Sequence, residues 1–165
     1  MSVEAKQAKQ VIIDEIKEKL DGAQSAVVID YMGTTVAQAD AMRKKLREAN
    51  VDYTVYKNTL IKRAIEGTVF APLAEVLDGP SAIAISKEDA TAPARVLKEV
   101  IDEFKKMEFK AGVVEGNYFD HEGIKEIASI PSREVLIAKF MGSIQSPVSK
   151  AVRTFQAIAD AKAEA

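Results

Sequence analysis

The sequence predicts an α+β fold: an antiparallel sheet with helices, led in by one helix and followed by a separate helical tail. Three observations carry that expectation. Wholly apolar or alternating stretches and stretches with apolar residues every three or four positions succeed one another as strand, helix, strand, connector, strand, helix, strand. The 165 residues suit one ordinary domain with an appendage and are short for two full domains. Prolines at 131 and 147 and a glycine at 142 punctuate the last part of the chain, where the apolar spacing is helical throughout.

In chain order, residues 3–20 read as a helix, with Ala5, Ala8, Ile12, Ile16 and Leu20 on one stripe and Asp21-Gly22 as its stop. Residues 25–30 (SAVVID) are a short apolar strand, closed by the loop 31–35 (YMGTT). Val36, Ala39, Met42, Leu46 and Ala49 make the apolar stripe of the next helix, and Arg43, Lys44 and Arg47 lie beside or opposite it, toward water or a partner. Residues 51–56 (VDYTVY) alternate as a half-buried strand does. After Lys57 a short helix runs to about Ile65, and a second one is expected around Leu73 to Leu77, within a stretch broken by Gly67, Pro72 and Gly79. Residues 81–86 (SAIAIS) are the third strand. Residues 90–105 are a helix with Ala94, Leu97, Ile101 and Phe104 inward. Phe109, Ala111 and Val113 mark a fourth strand, and Tyr118-Phe119 a short fifth after the turn at Glu115-Gly116-Asn117. This order is the ferredoxin-like split βαβ arrangement, for which helices are expected on one face of the sheet. A flavodoxin-like parallel sheet is the alternative, because the connector 58–79 is long enough for a crossover helix.

Ile130-Pro131-Ser132 marks a boundary: proline disfavours helix in the residue before it, and Ser132 can cap the helix that follows, with Glu134 in its first turn. The predicted units are therefore 1–131 and 132–165. Leu136, Ile137, Phe140 and Met141 line the first tail helix, Gly142 weakens its end, and Ser146-Pro147 restarts the chain. From Val148 onward Ala151, Val152, Phe155, Ile158 and Ala159 form a single stripe. About 16 residues of such a helix span roughly 24 Å. The sequence provides nothing after residue 165 to cover that stripe. It either docks on the body or projects and receives another protein's helices. The punctuation, together with a sheet that already has its own helices, favours projection, and a projecting helix this short would be ordered mainly by its partner.

Composition narrows the function. Apolar residues are 47% and charged residues 29%, cysteine is absent, and no uncharged apolar run approaches the roughly 20 residues that cross a bilayer. The charged amphipathic start is unlike a signal peptide, so a cytosolic protein with no membrane partner is expected. Net charge is −2, but its distribution is uneven. Residues 41–65 hold seven cations against two acids, whereas residues 66–132 hold seven cations against thirteen acids. One basic block in an acidic body is a candidate footprint for phosphate. On charge alone, a solvated helix face followed by a lysine-rich loop is the plainer reading. Catalytic signals are nearly absent: no phosphate-binding GxxxxGK[ST], no HExxH, no GxGxxG, and a single histidine, His121, at an expected helix start beside nothing that resembles a nucleophile or ligand set. An enzyme, a cofactor or a metal is not expected.

The stretch AVVIDYMGTTVAQADAMRKKLREANVDYTVYKNTLIKRAIEGT, then GPSAIAIS, DATAPARVLKE and IPSREVLIAKFMGSIQSP, in that order and spacing, resembles the family of the bacterial large-subunit ribosomal protein ten, the stalk base protein. The specific element is the second strand running into Lys57-Asn58-Thr59-Leu60 with a cation at Lys62 or Arg63, and the likeness extends from Lys6 to Ala165. The resemblance implies a scaffold and no reaction. Its base domain would bind large-subunit ribosomal RNA beside ribosomal protein eleven. Its C-terminal helix would carry dimers of the acidic stalk protein, number twelve, which recruit GTP-bound translation factors and promote their GTP hydrolysis; with its acidic partner, such a protein can also repress its own messenger.

On that footing Arg43, Lys44, Arg47, Lys57, Lys62 and Arg63 are the expected phosphate contacts, and Asn58 and Thr59 would hydrogen-bond phosphate, sugar or base edges. Lys6 and Lys9 are weaker candidates. Tyr31, Tyr53 and Tyr56 could stack on bases, although Tyr53 shares a strand face with Val51 and Val55, where core packing is the stronger expectation. Val148, Val152, Phe155, Ile158 and Ala159 are the expected contacts of the stalk dimers, two in number because the sequence stops soon after one hinge. The absence of a further domain, an acidic tail or a transit segment points to the bacterial type. The alternative is a nonribosomal RNA-binding or ribosome-assembly module that shares the base domain.

Overall fold

A computed structural model describes residues 3–163. The chain divides into two compact units, one ending at Ile130 and one beginning at Pro131.

The first unit runs α1 (Val3–Leu20), β1 (Ser25–Asp30), α2 (Val36–Glu48), β2 (Val51–Thr54), α3 (Asn58–Ile65), a 3₁₀ turn (Ala71–Glu75), β3 (Ala82–Ser86), α4 (Ala92–Phe104), β4 (Glu108–Val114), β5 (Asn117–Phe119) and α5 (His121–Ile127). The five strands form one sheet in the order β2-β3-β1-β4-β5. Every neighbouring pair is antiparallel, with Val27 facing Ala84 on one side and Gly112 on the other. This is the split βαβ order with a fifth strand added at one edge, and it excludes the parallel alternative.

Helices cover both faces of the sheet, which corrects the one-face expectation. Val27, Ile29, Ala82 and Ala84 pack with Met42 and Leu46 of α2, Leu97 and Val100 of α4 and Ile124 of α5. Val28, Ile83, Ile85 and Val113 pack with Ile13, Ile16 and Leu20 of α1, Ile61 and Ile65 of α3 and Leu73 of the 3₁₀ turn. The cause lies in β1 and β3: SAVVID and AIAIS are apolar at both parities, the pattern of strands buried on two sides.

Local chemistry sets most element ends. Thr35 caps α2 reciprocally with Gln38: its hydroxyl accepts from the Gln38 N–H at 3.4 Å, and the Gln38 side chain accepts from the Thr35 N–H at 3.0 Å. Pro72, with its fixed φ and missing N–H, opens the 3₁₀ turn two residues before the place where a helix was expected. β2 stops at Thr54, short of the expected Tyr56, whose hydroxyl instead donates to Glu15 of α1 at 2.9 Å and accepts from Lys19 at 3.1 Å. At Gly112 in β4 a Cβ would lie 2.6 Å from Ile124 Cδ1, so the missing side chain is what lets α5 close on the sheet.

The second unit is α6 (Arg133–Ala163), 31 residues in one helix with Pro147 inside it. The break expected between Gly142 and Pro147 does not occur. Proline removes one backbone donor and crowds the preceding turn, a cost of about 3 kcal/mol. The flanking alanine, lysine, leucine and methionine residues are strong helix formers, and the helix continues through both positions.

Candidate functional site

Residues 41–65, contiguous in sequence, do not form one patch in space. α2 packs by Met42 and Leu46 on one face of the sheet, so Arg43, Lys44 and Arg47 lie on that side. α3 packs by Leu60, Ile61, Ala64 and Ile65 on the other face, and Lys62 and Arg63 go with it. Lys57, Asn58 and Thr59 stand between them, at the end of the sheet where β1 and β2 exit and β3 and β4 enter. Arg47 is at the far end of α2, in a depression shared with Asn50, Asp52, Lys87 and Glu88.

The eight expected RNA residues differ in how far they are already engaged. Arg43 pairs with Asp40 at 3.1 Å and Lys62 with Asp78 at 3.3 Å, both exposed pairs of the kind that contribute at most about 1 kcal/mol. Among the described residues, Lys44, Arg47, Lys57 and Arg63 make no ion pair, and all four are exposed. The Asn58 amide donates to the Gly79 carbonyl at 2.7 Å, which leaves its side-chain oxygen as the outward group. Thr59 is exposed beside it. The Lys6 side chain lies outside the described residues, and Lys9 is exposed on α1.

None of the three tyrosines is a free stacking group. Tyr31 and Tyr53 are half-buried against the core under α2. Burial pushes the Tyr53 phenol up to about 12, with Arg43 pulling it down and Tyr31 raising it. Tyr56 is half-buried against the other core, and the Lys19 ammonium lies 5.7 Å from its ring centre. The Tyr56 hydroxyl holds the Lys19 ammonium above the usual lysine range and, with Lys19, holds the Glu15 carboxyl below the usual carboxylate range.

Two shallow depressions flank the exit of β1. One, of about 330 Å³, is lined by Tyr31, Val55, Lys57, Asn58, Thr59 and the Gly79–Ser81 segment. The other, of about 550 Å³, is lined by Asp30, Met32, Gly33, Lys105, Lys106 and Glu108. Lys110 ties the rim together, its ammonium donating to the carbonyls of Asp78 at 2.5 Å and Pro80 at 2.7 Å and to the Ser81 hydroxyl at 3.0 Å, with Asp30 at 3.8 Å.

Lys105, Lys106 and Lys110 escaped the sequence reading because the segment around them is acidic overall. Only the fold marks the first of them: Lys105 closes α4 in the left-handed conformation, φ 52°, where glycine or asparagine is the more common residue. That conformation costs an ordinary side chain about 1–2 kcal/mol. The helix dipole returns only about 0.3–1 kcal/mol to a cation there. His121 begins α5 half-buried, its Nδ1 at 2.6 Å from the Phe109 carbonyl and its Nε2 at 2.7 Å from the Lys125 ammonium. The imidazole thus bridges the start of β4 to the next turn of α5.

On α6, Phe140, Ile144 and Phe155 are 67%, 62% and 72% exposed. The side chains of Val148, Val152, Ile158 and Ala159 lie outside the described residues. No described helix is long and apolar enough to cross a membrane.

Residues 4–102 match the family model for ribosomal protein L10, and residues 130–165 match the model for the ribosomal protein uL10 C-terminal region. The chain is 44% identical to the large ribosomal subunit protein uL10 of Alkaliphilus metalliredigens over 156 residues, covering 94% of each chain. It is 48% identical to that of Clostridioides difficile over 152 residues, 92% of this chain and 90% of the relative. Against that of Bacillus cereus (strain B4264) it is 43% identical over 158 residues, 96% and 95% of the two chains. Proteins of this kind are structural components of the ribosome in the cytoplasm, associate with its large-subunit RNA and are not enzymes. An antiparallel-sheet body and a helical tail, each matched by its own part of the family, place this chain in the uL10 family of large ribosomal subunit proteins.

Proposed function

We propose that the body anchors the chain at the stalk base by gripping large-subunit RNA beside ribosomal protein eleven, and that α6 carries dimers of the acidic stalk protein twelve. The dimers then bring GTP-bound translation factors to the ribosome and promote their GTP hydrolysis, the hydrolytic site belonging to the factor. Lys57, Asn58, Thr59, Lys62 and Arg63, with Arg43, Lys44 and Arg47, are the RNA-facing residues; Val148, Val152, Phe155, Ile158 and Ala159 receive the dimers.

The observation that carries this reading is α6: a 31-residue helix on which the described large apolar side chains, Phe140, Ile144 and Phe155 foremost, are open to solvent. An isolated monomer gains nothing from exposing Phe140, Ile144 and Phe155, and each contributes favourably only when a partner removes it from water. The experiment is native mass spectrometry of the chain mixed with the acidic protein, which gives identity and copy number together. Deleting residues 146–165 should abolish capture and leave RNA binding intact. Full capture by the shortened chain would remove the dimers from α6. Absence from mature large subunits on co-sedimentation, with RNA binding retained, would favour the assembly-module reading.

A further inference from the structure

We infer that the RNA-gripping surface centres on the strand-exit end of the sheet, where Lys105 and Lys106 join Lys57 around Met32, with the faces of α2 and α3 at its margins. The inference rests on the RNA-binding reading above and goes beyond it by assigning residues from an acidic part of the sequence. Its ligand is a turn of RNA that offers phosphates on two sides of an unstacked base.

Four segments converge there. β1 and β2 run in the same direction through the sheet, and β3 and β4 run against them, so the loops after β1 and β2 and the segments entering β3 and β4 all meet at one end. The loop after β2 brings Lys57 and the turn before β4 brings Lys105 and Lys106, on opposite sides of the β1 exit. All three are exposed, and among the described residues none has an ion pair or hydrogen-bond partner for its ammonium. Of the acids at the rim, Asp30 accepts from the Met32 N–H at 2.8 Å and Asp78 pairs with Lys62, while the exposed Glu108 lines the same depression as Lys105 and Lys106 and offsets one of their charges. Lys110, by contrast, is committed to the rim's own carbonyls and holds the entry to β3 in place. Between the two cationic sites stands Met32, 64% exposed beside Gly33, with Val55 41% exposed across the rim. An unbranched, polarisable side chain left in water between phosphate-sized charges suits the face of a splayed base.

At the opposite end of the sheet the surroundings reverse sign. Glu18, Asp21, Glu66 and Glu115 surround a depression of about 890 Å³, with Lys17 as the one cation lining it. Phosphate would be repelled there, and Arg47, near Asp52 and Glu88, lies toward that end.

The test uses the full chain and transcribed large-subunit ribosomal RNA, with excess transfer RNA as competitor, titrated at several salt concentrations. Lys105→Asn with Lys106→Ala preserves the left-handed position and removes both charges. Loss of two phosphate contacts should make the slope of log K against log salt shallower by about 1.4–1.8, equivalent to about 40-fold weaker binding at 0.1 M salt. Lys57→Ala should change the slope in the same way by about half as much. Met32→Ala should weaken binding equally at every salt concentration. Lys106→Ala alone, at an ordinary backbone position, serves as the second variant should the double substitution fail to fold. A wild-type slope for the Lys105, Lys106 and Lys57 variants, with the slope lost on replacing Lys62 and Arg63, overturns this surface and leaves the RNA-binding reading standing. Slopes unchanged in both sets overturn both. Loss confined to Arg43→Ala, Lys44→Ala and Arg47→Ala moves the site to the face of α2.

Discussion

Gly112 and Tyr53 each owe their behaviour to being enclosed. An added methyl at Gly112 meets Ile124, which can swing, and also the Ala26 carbonyl and Val27 at 3.2 Å, which cannot move without disturbing β1. Gly112→Ala should therefore destabilise the body by about 1–3 kcal/mol, read by urea denaturation, whereas a freely adjusting contact would leave the midpoint unchanged. Tyr53 is neutral in the fold and its phenol is pushed up to about 12 from an ordinary value of 10.0. A raised value means that its contribution to stability is complete below pH 10 and is lost as pH climbs toward 12. Alkaline melts should show that loss in the wild type and a smaller one in Tyr53→Phe. The acid side has its own group. Burial pushes Asp89 up, but the Thr91 N–H at 2.9 Å, the Thr91 hydroxyl at 3.0 Å and Arg95 outweigh it, and the carboxyl ends below its ordinary range. Its contribution is present above about pH 4 and falls away below the lowered value, so Asp89→Asn should flatten the acid limb of the stability curve. At this scale the proposed RNA surface is only half legible in the sequence. Lys57, Asn58 and Thr59 could be singled out because strand, loop and helix start are adjacent in sequence. Lys105 and Lys106 could not, because strand pairing alone brings them to the same rim.

Among the elements, those whose residues decide their own conformation were legible and those decided by tertiary packing were not. α1, β1, α3 and β3 sit where period and punctuation put them, since each carries a full apolar stripe or run. The two-sided cover of the sheet was encoded in the unbroken apolar runs of β1 and β3 but was outweighed by the element order, which also suits a one-sided sheet. Pro147 is the clearest miss. Proline signals a stop in the sequence, yet a single lost hydrogen bond is a local cost and the remaining turns of α6 are strong formers. Pro147→Ala should then raise helix content and stabilise α6 by up to about 3 kcal/mol, measured by circular dichroism during thermal melting of the full chain. No gain would mean that the proline is accommodated without cost.

For the molecule as a whole, a basic segment read linearly becomes three groups: one over the α2 face, one over the α3 face and one at the strand-exit end. Three variants that neutralise these groups separately, compared by the salt dependence of their RNA binding, distinguish the groups, whereas removing all the cations together does not. Family membership follows from the ordered set of motifs over nearly the whole chain, which no single motif could establish. The strands at the two borders of the sheet have a further consequence. β2 is four residues long and β5 only three, too short to template a neighbour's chain by main-chain pairing. Copies made in excess of their assembly sites therefore have little means of stacking border to border into fibres, and a concentrated pool of newly synthesised molecules can wait for ribosomes without seeding cross-β aggregates through this sheet.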